Sequence, residues 1–211
     1  MTGRGRFITV EGPDGSGKTT AARHLAEWLR GRGVEVVLTQ EPGGTALGDE
    51  IRRLVLHLRD VSDALDPRAD ALLFAAGRAQ HTAELILPAI ERGAWVVCAR
   101  YVDSSLAYQG YGYGNDLDDL RRLQEFATRA TRPDLTILLD VSVEVGLART
   151  RRRAEWNRFE DTEEAAFFER VRTGYMELAR AEPDRFRIVD GSGSVADSDS
   201  AIRETVAPLL G

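Results

Sequence analysis

Cysteine is nearly absent from this sequence: Cys98 stands alone, so no internal disulfide can form. It lies in the apolar run Trp95-Val96-Val97-Cys98, which predicts a buried structural thiol rather than a reactive one. A basic excess is missing too. The formal net charge is -6, whereas phosphate-backbone binding needs a positive surface, so no nucleic-acid partner is expected. No stretch is apolar for long enough to cross a membrane, and the N-terminus has no signal-peptide pattern. No membrane partner is therefore expected, and a cytoplasmic location is. Internal repeats, low-complexity tracts and an interdomain linker are also lacking, which predicts a single domain over residues 1–211. What is present is ordinary for a globular chain with a substantial core, 43% hydrophobic and 29% charged.

One stretch organises the rest. The apolar, β-branched run from Phe7 to Glu11 leads into Gly12-x-x-x-x-Gly17-Lys18-Thr19, a phosphate-binding loop pattern. Its glycines allow backbone N–H groups to turn inward around a polyphosphate. Lys18 reaches the β- and γ-phosphates, and the Thr19 hydroxyl can ligand Mg²⁺. The helix that follows points its positive dipole end at the anion. A nucleoside triphosphate is expected here. No Asn-Lys-x-Asp guanine-reading motif occurs, which argues against a regulatory GTPase.

Taken in order, hydrophobic spacing predicts strands at Arg6–Glu11, Val34–Leu38, Trp95–Ala99, Leu135–Val141 and Phe186–Val189. It predicts helices at Thr19–Arg30, Ala46–Leu58, from Pro67 with Asp66 as N-cap, and onward to about Glu91 with Pro88 interrupting. Further helices are expected from Leu117 to Ala130, Val145 to Arg153, Ala165 to Ala181 and Ala201 to Leu210. Tyr101 to Asn115, rich in Gly and Tyr, reads as a functional loop. Strands and helices alternate throughout, which predicts an α/β fold with a mostly parallel sheet and helices on both faces. Ligands of such sheets gather outside the carboxyl ends of the strands. Glu41-Pro42-Gly43-Gly44-Thr45, Arg100-Tyr101-x-x-Ser104-Ser105-x-x-Tyr108-Gln109-Gly110 and a cluster of arginines after strand four all fall there.

At this point the chain resembles the bacterial thymidylate kinases. The resemblance adds Leu73-Phe74-Ala75-Ala76-x-Arg78-Ala79-Gln80-His81, Gly146-Leu147-x-Arg149-x-Arg151-x-Arg153, Arg158-x-Glu160 and Arg170-Val171-Arg172-x-Gly174-Tyr175, all in the family's order. It implies a three-layer kinase fold with a five-stranded sheet and a short arginine-rich lid at about 146–160. It also implies transfer of phosphate from ATP to dTMP with Mg²⁺, for dTTP synthesis, by a homodimer. ATP would be held by Gly12, Asp14, Gly15, Ser16, Gly17, Lys18, Thr19 and Thr20, with Arg149 and Arg153 from the lid. Thr19 would be the metal ligand, and Lys18, Arg100, Arg153 and Asp14 the catalytic set.

On the substrate side, Phe74 matches the aromatic that stacks on thymine, although it also suits plain core on an apolar helix. Arg78 matches the residue that hydrogen-bonds the base, and helical i, i+4 spacing puts it on the same face as Phe74. Arg52 and Arg100 match a bidentate clamp on the monophosphate. Ser105 matches a contact to the pyrimidine edge, and Tyr108 a platform that rejects a 2′-hydroxyl. Asp14 would hold the 3′-hydroxyl and Tyr175 would close the sugar side; for Ser105 and Tyr175 a structural role fits the sequence equally well. Glu41, Pro42, Ser104 and Gln109 belong to the same substrate-binding stretches.

The phosphate loop offers only Pro13, Asp14, Gly15 and Ser16 between its glycines, so transition-state charge must come from Arg149, Arg151, Arg152, Arg153 or Arg158. Arg153 is the expected contact, with Arg149 nearer the ATP. Several positions depart from the family. Ala99 stands where an aspartate normally precedes the Arg-Tyr pair, and the resemblance implies that this loss touches catalysis directly. Gly77, Asn157, Gln40 and Tyr113 differ as well. Three readings stay open on the sequence: a dTMP kinase, a kinase for another pyrimidine deoxynucleotide, or a nucleotide-binding protein of weak turnover, diverged or engineered at position 99.

Overall fold

The computed structural model describes residues 4–56, 65–152 and 165–210. Five parallel strands, β1 (Phe7–Glu11), β2 (Val36–Gln40), β3 (Trp95–Ala99), β4 (Leu135–Asp140) and β5 (Phe186–Asp190), form one sheet in the order β2-β3-β1-β4-β5. β1 is central, paired through Val10 with Ala99 on one side and Ile137 on the other. Its alternate side chains serve opposite faces. Ile8 and Val10 pack with α1 (Lys18–Arg30) and α9 (Val195–Val206), whereas Phe7 packs with α4 (Leu87–Glu91). Two buried layers therefore flank a buried sheet, the expected three-layer arrangement.

The remaining helices are α2 (Ala46–Leu56), α3 (Pro67–His81), α5 (Val102–Ser105), α6 (Leu117–Thr128), α7 (Val143–Thr150) and α8 (Ala165–Ala181). Asp66 caps α3 as expected, accepting from Arg68 N–H at 2.8 Å. Helical backbone continues past His81 through a wider π-helical turn, Thr82–Ile86, into α4, so Pro88 is carried rather than breaking the run.

Several boundaries shift by a few residues from the sequence expectation, as α7 does from Val145–Arg153 to Val143–Thr150, and three differences have a clear physical reason. β2 runs Val36–Gln40 instead of Val34–Leu38, because the Val34 N–H still bonds the Leu29 carbonyl at the end of α1 and the strand pairs on to Gln40 opposite Ala99. α9 begins at Val195, six residues before the expected Ala201, behind a capping box in which Ser194 and Asp197 satisfy each other's backbone. The largest correction is at Tyr101–Asn115. In place of a loop, it forms α5 and a π-helix, Leu106–Gly112, whose residues are nearly all buried. A buried backbone must bond internally. Its glycines serve close packing: a Cβ at Gly112 would stand 2.7 Å from the Phe167 ring, and one at Gly174 of α8 would stand 2.5 Å from the Tyr111 ring.

Candidate active site

The carboxyl ends of β1, β2 and β3 open onto one cavity of about 160 Å³. From the β1 end come Asp14, Lys18 and Thr19. Gly12, Gly15 and Gly17 hold φ values of 143°, 79° and 94°, and this left-handed backbone turns the loop around its own centre. The Lys18 ammonium arches back over the loop, donating to the Pro13 carbonyl at 2.7 Å and to Ser16 Oγ at 3.3 Å. Loop and α7 meet glycine on glycine. A Cβ on Gly15 would strike the Gly146 carbonyl at 2.2 Å, and one on Gly146 would reach the Asp14 carbonyl at 2.6 Å.

Across the cavity stand Glu41, Pro42, Arg52, Phe74, Arg78, Arg100, Ser104, Ser105, Tyr108 and Gln109. Most arrive already braced by hydrogen bonds. Arg52 of α2 donates to the Pro42 carbonyl at 2.9 Å, and Gln109 donates to the buried Asp70 of α3 at 2.9 Å. Arg78, only 2% exposed, donates to Glu41 at 2.7 Å and to Ser105 at 2.9 Å, while His81 bridges Glu41 and Thr39 at 2.8 Å each. Four cationic side chains, Lys18, Arg52, Arg78 and Arg100, thus share the cavity with two carboxylates, Asp14 and Glu41. A dianionic phosphate suits that balance.

Arg100 occupies the turn after β3 with φ 72°, a conformation seldom held without strong local bonding. Its guanidinium pairs with Asp14 and donates to Ser104 Oγ at 3.1 Å and the Tyr175 hydroxyl at 3.3 Å. Glu11 secures the turn from beneath. This wholly buried carboxylate accepts from the next backbone N–H, Tyr101, at 2.6 Å, from Ser104 Oγ at 2.6 Å and from the Tyr175 hydroxyl at 3.1 Å. Burial, and then neighbouring Asp103, push its carboxyl up from the ordinary range. Burial likewise pushes up the Tyr108 and Tyr175 hydroxyls, which stay protonated donors at neutral pH.

Most of the expected site residues converge. Gly12, Gly15, Ser16 and Gly17 shape the loop behind Lys18; Thr20 faces a neighbouring groove; Tyr175 reaches the site through Arg100 and Ser104. Arg149 projects from α7 to the Gly191 and Ser192 carbonyls, at 2.7 and 3.2 Å. Arg151 and Arg152 are exposed beyond α7. Arg153, Asn157 and Arg158 lie outside the described residues, as does most of the expected lid.

Comparison with known proteins agrees with this geometry. The family model described as thymidylate kinase matches residues 10–202. The chain belongs to the thymidylate kinase family. It is 46% identical to the thymidylate kinase of Roseiflexus sp. (strain RS-1), over 97% of this chain and 94% of the relative. It is 49% identical to that of Carboxydothermus hydrogenoformans, over 89% and 90%. A crystal structure of thymidylate kinase from Ehrlichia chaffeensis superposes with a TM-score of 0.76 at 32% identity, covering 99% of both chains.

Within this thymidylate kinase fold, sequence reasoning missed Glu11, His81 and Gln124 as parts of the site. Glu11 and His81 stood inside the quoted motifs without a role. The available signal was a charged residue ending a fully buried strand that is apolar apart from Thr9, as Glu11 ends β1. Gln124 gave no such signal, because a glutamine on an amphipathic helix reads as surface. Ala99 is 3% exposed, and its methyl packs with Val10 and Ala22 on the α1 side of the sheet. It borders both the cavity and the groove beside Thr19.

Proposed function

We propose that this protein phosphorylates dTMP to dTDP with ATP: a phosphate oxygen of dTMP attacks the γ-phosphorus, and ADP leaves. The observation that carries this reading is the single cavity in which Lys18 and Thr19 face Arg52, Phe74, Arg78 and Arg100. The phosphate loop would hold the donor, Phe74 would stack on the base, and Arg52 with Arg100 would orient the acceptor phosphate. Phosphoryl transfer needs little more than such alignment and charge neutralisation. Arg153 remains the residue proposed to meet the transferring group, with Arg149 on the ATP side.

Among the described residues no cluster of three His, Cys, Asp or Glu side chains could hold a metal on its own. The exposed Thr19 hydroxyl on the cavity wall does fit Mg²⁺ that arrives on the nucleotide. Such an ion would neutralise the β- and γ-phosphate oxygens. Among the described residues no helix is long and apolar enough to cross a membrane, and the reading places the enzyme with free nucleotides in the cytoplasm. A second copy of the chain is the proposed partner. α3 packs against both α2 and α6, and these three helices expose Leu47, Leu54, Leu72 and Phe126.

A coupled ADP-release assay over a panel of nucleoside monophosphates tests the reading, with Lys18→Ala as control. dTMP should rank first, and Lys18→Ala should lose at least ~3 kcal/mol of transition-state stabilisation, about two orders of magnitude in rate, while remaining folded. Another monophosphate ranking above dTMP would overturn the assignment.

A further inference from the structure

Arg78 carries five N–H donors. Nε donates to Glu41 Oε2 at 2.7 Å, and Nη1 donates to Ser105 Oγ at 2.9 Å and to Gln124 Oε1 at 2.5 Å. Nη2 donates to the Tyr101 carbonyl at 2.9 Å. One Nη2–H is left on a side chain that lines the cavity.

Gln124 does not line the cavity. It sits on α6, 1% exposed, and its amide oxygen must face Arg78 because a guanidinium offers only donors. Its Nε2 is then the one buried side-chain polar atom, among the described residues, that has no hydrogen-bond partner. A buried donor left unmade is destabilising, and an apolar side chain of similar size would avoid it. The amide therefore stands there for its oxygen.

We propose that Gln124 is a positioning residue that sets base selectivity from outside the cavity. Together with Ser105 it engages both Nη1 hydrogens, which fixes the guanidinium plane and aims the remaining Nη2–H into the site. This rests on the pyrimidine reading of the pocket. A 4-keto oxygen, as in thymine, accepts from that N–H; a 4-amino group, as in cytosine, sets donor against donor. Without Gln124, Nη1 keeps only the Ser105 hydroxyl, which can itself rotate. The guanidinium can then tilt, and the penalty on the amino base falls.

Calorimetric titration of dTMP and of dCMP into the parent, Gln124→Met and Gln124→Glu gives a ratio of two dissociation constants for each protein. Both ligands count the same folded sites, so partial unfolding cancels from the ratio. Gln124→Met should lower the preference for dTMP by about tenfold or more and leave ATP affinity within about twofold. Gln124→Glu keeps an acceptor for Nη1 and should hold the ratio within about threefold of the parent. If the methionine variant does not fold, Gln124→Ala carries the same expectation. An unchanged ratio in the methionine or alanine variant overturns the proposal. So does an equal loss in Gln124→Glu, which would make the residue a packing element. A parent that binds dTMP no better than dCMP overturns the base reading and the proposal with it. Turnover of the parent with dTMP is scored separately, so a failure of the kinase reading is told apart from a failure of this proposal.

Discussion

Glu11 is wholly buried, yet three donors converge on it, and through them it holds the Tyr101 backbone N–H next to Arg100 and the Ser104 and Tyr175 hydroxyls. Its raised carboxyl value means that the folded state keeps the proton to higher pH than the unfolded chain does. The stability this contributes is present at low pH and is lost as pH rises from the unfolded value, about 4.3, through the raised folded one. Glu11→Gln has nothing to titrate. Its stability relative to the parent should therefore improve as pH rises through that window, on top of a constant deficit of about 1–3 kcal/mol for the misplaced acceptor. Urea midpoints from pH 4 to 8 read this directly, and a difference drifting the other way would contradict the burial argument. Ala99 is the complementary case, a position where the family resemblance implies a carboxylate. Its methyl faces α1 and packs with Val10 and Ala22 at the border of the cavity beside Thr19, so an aspartate there would have to extend past that packing to bring its carboxylate to the cavity. Ala99→Asp should raise kcat at least tenfold, about 1.4 kcal/mol of barrier, with little change in KM for dTMP. Unchanged kcat at saturating Mg²⁺ would show that Ala99 is not a defect.

Elements, rather than single side chains, decide how closely the two halves of the site approach each other. The phosphate loop and α7 touch through Gly15 and Gly146 with no side chain between. Gly146→Ala should force them apart, destabilise the fold by about 1–3 kcal/mol and raise KM for ATP more than KM for dTMP. Thermal unfolding and steady-state kinetics check both parts, and equal rises in the two KM values would place the damage elsewhere. Glycine spacing is also where the sequence was easiest to misread. Strands β1, β3 and β4 were legible because nearly continuous apolar runs leave few alternatives, and the phosphate loop because its glycines and Lys18 follow a fixed pattern. Residues 101–115 were not legible. Gly110 and Gly112 look like loop residues by propensity, but they pack against Leu117 and Phe167 inside a π-helix. Likewise, the partners of Arg78 come from the turn after β2, from α5 and from α6, and no local pattern joins residues 41, 105 and 124.

On the scale of the whole molecule, α2 and α3 carry Arg52, Phe74 and Arg78 inward while exposing apolar side chains outward. Leu72 is 57% exposed and Phe126, on neighbouring α6, is 87% exposed. A lone exposed leucine needs no explanation, but large apolar residues on three adjoining helices do. A twofold pairing of this chain would cover them and brace the helices that form the acceptor side of the site. The parent should therefore show twice the mass of one chain in light scattering. Phe126→Arg combined with Leu72→Arg should run as a monomer, because twofold symmetry sets every introduced charge into the interface twice, without a partner. Ile188, 49% exposed on the edge strand β5, supplies the control: Ile188→Arg changes surface charge without touching α2, α3 or α6 and should leave the dimer intact. A parent of single-chain mass would refute the pairing outright. A dimer that survives the double arginine variant but not Ile188→Arg would move the interface to the β5 edge of the sheet.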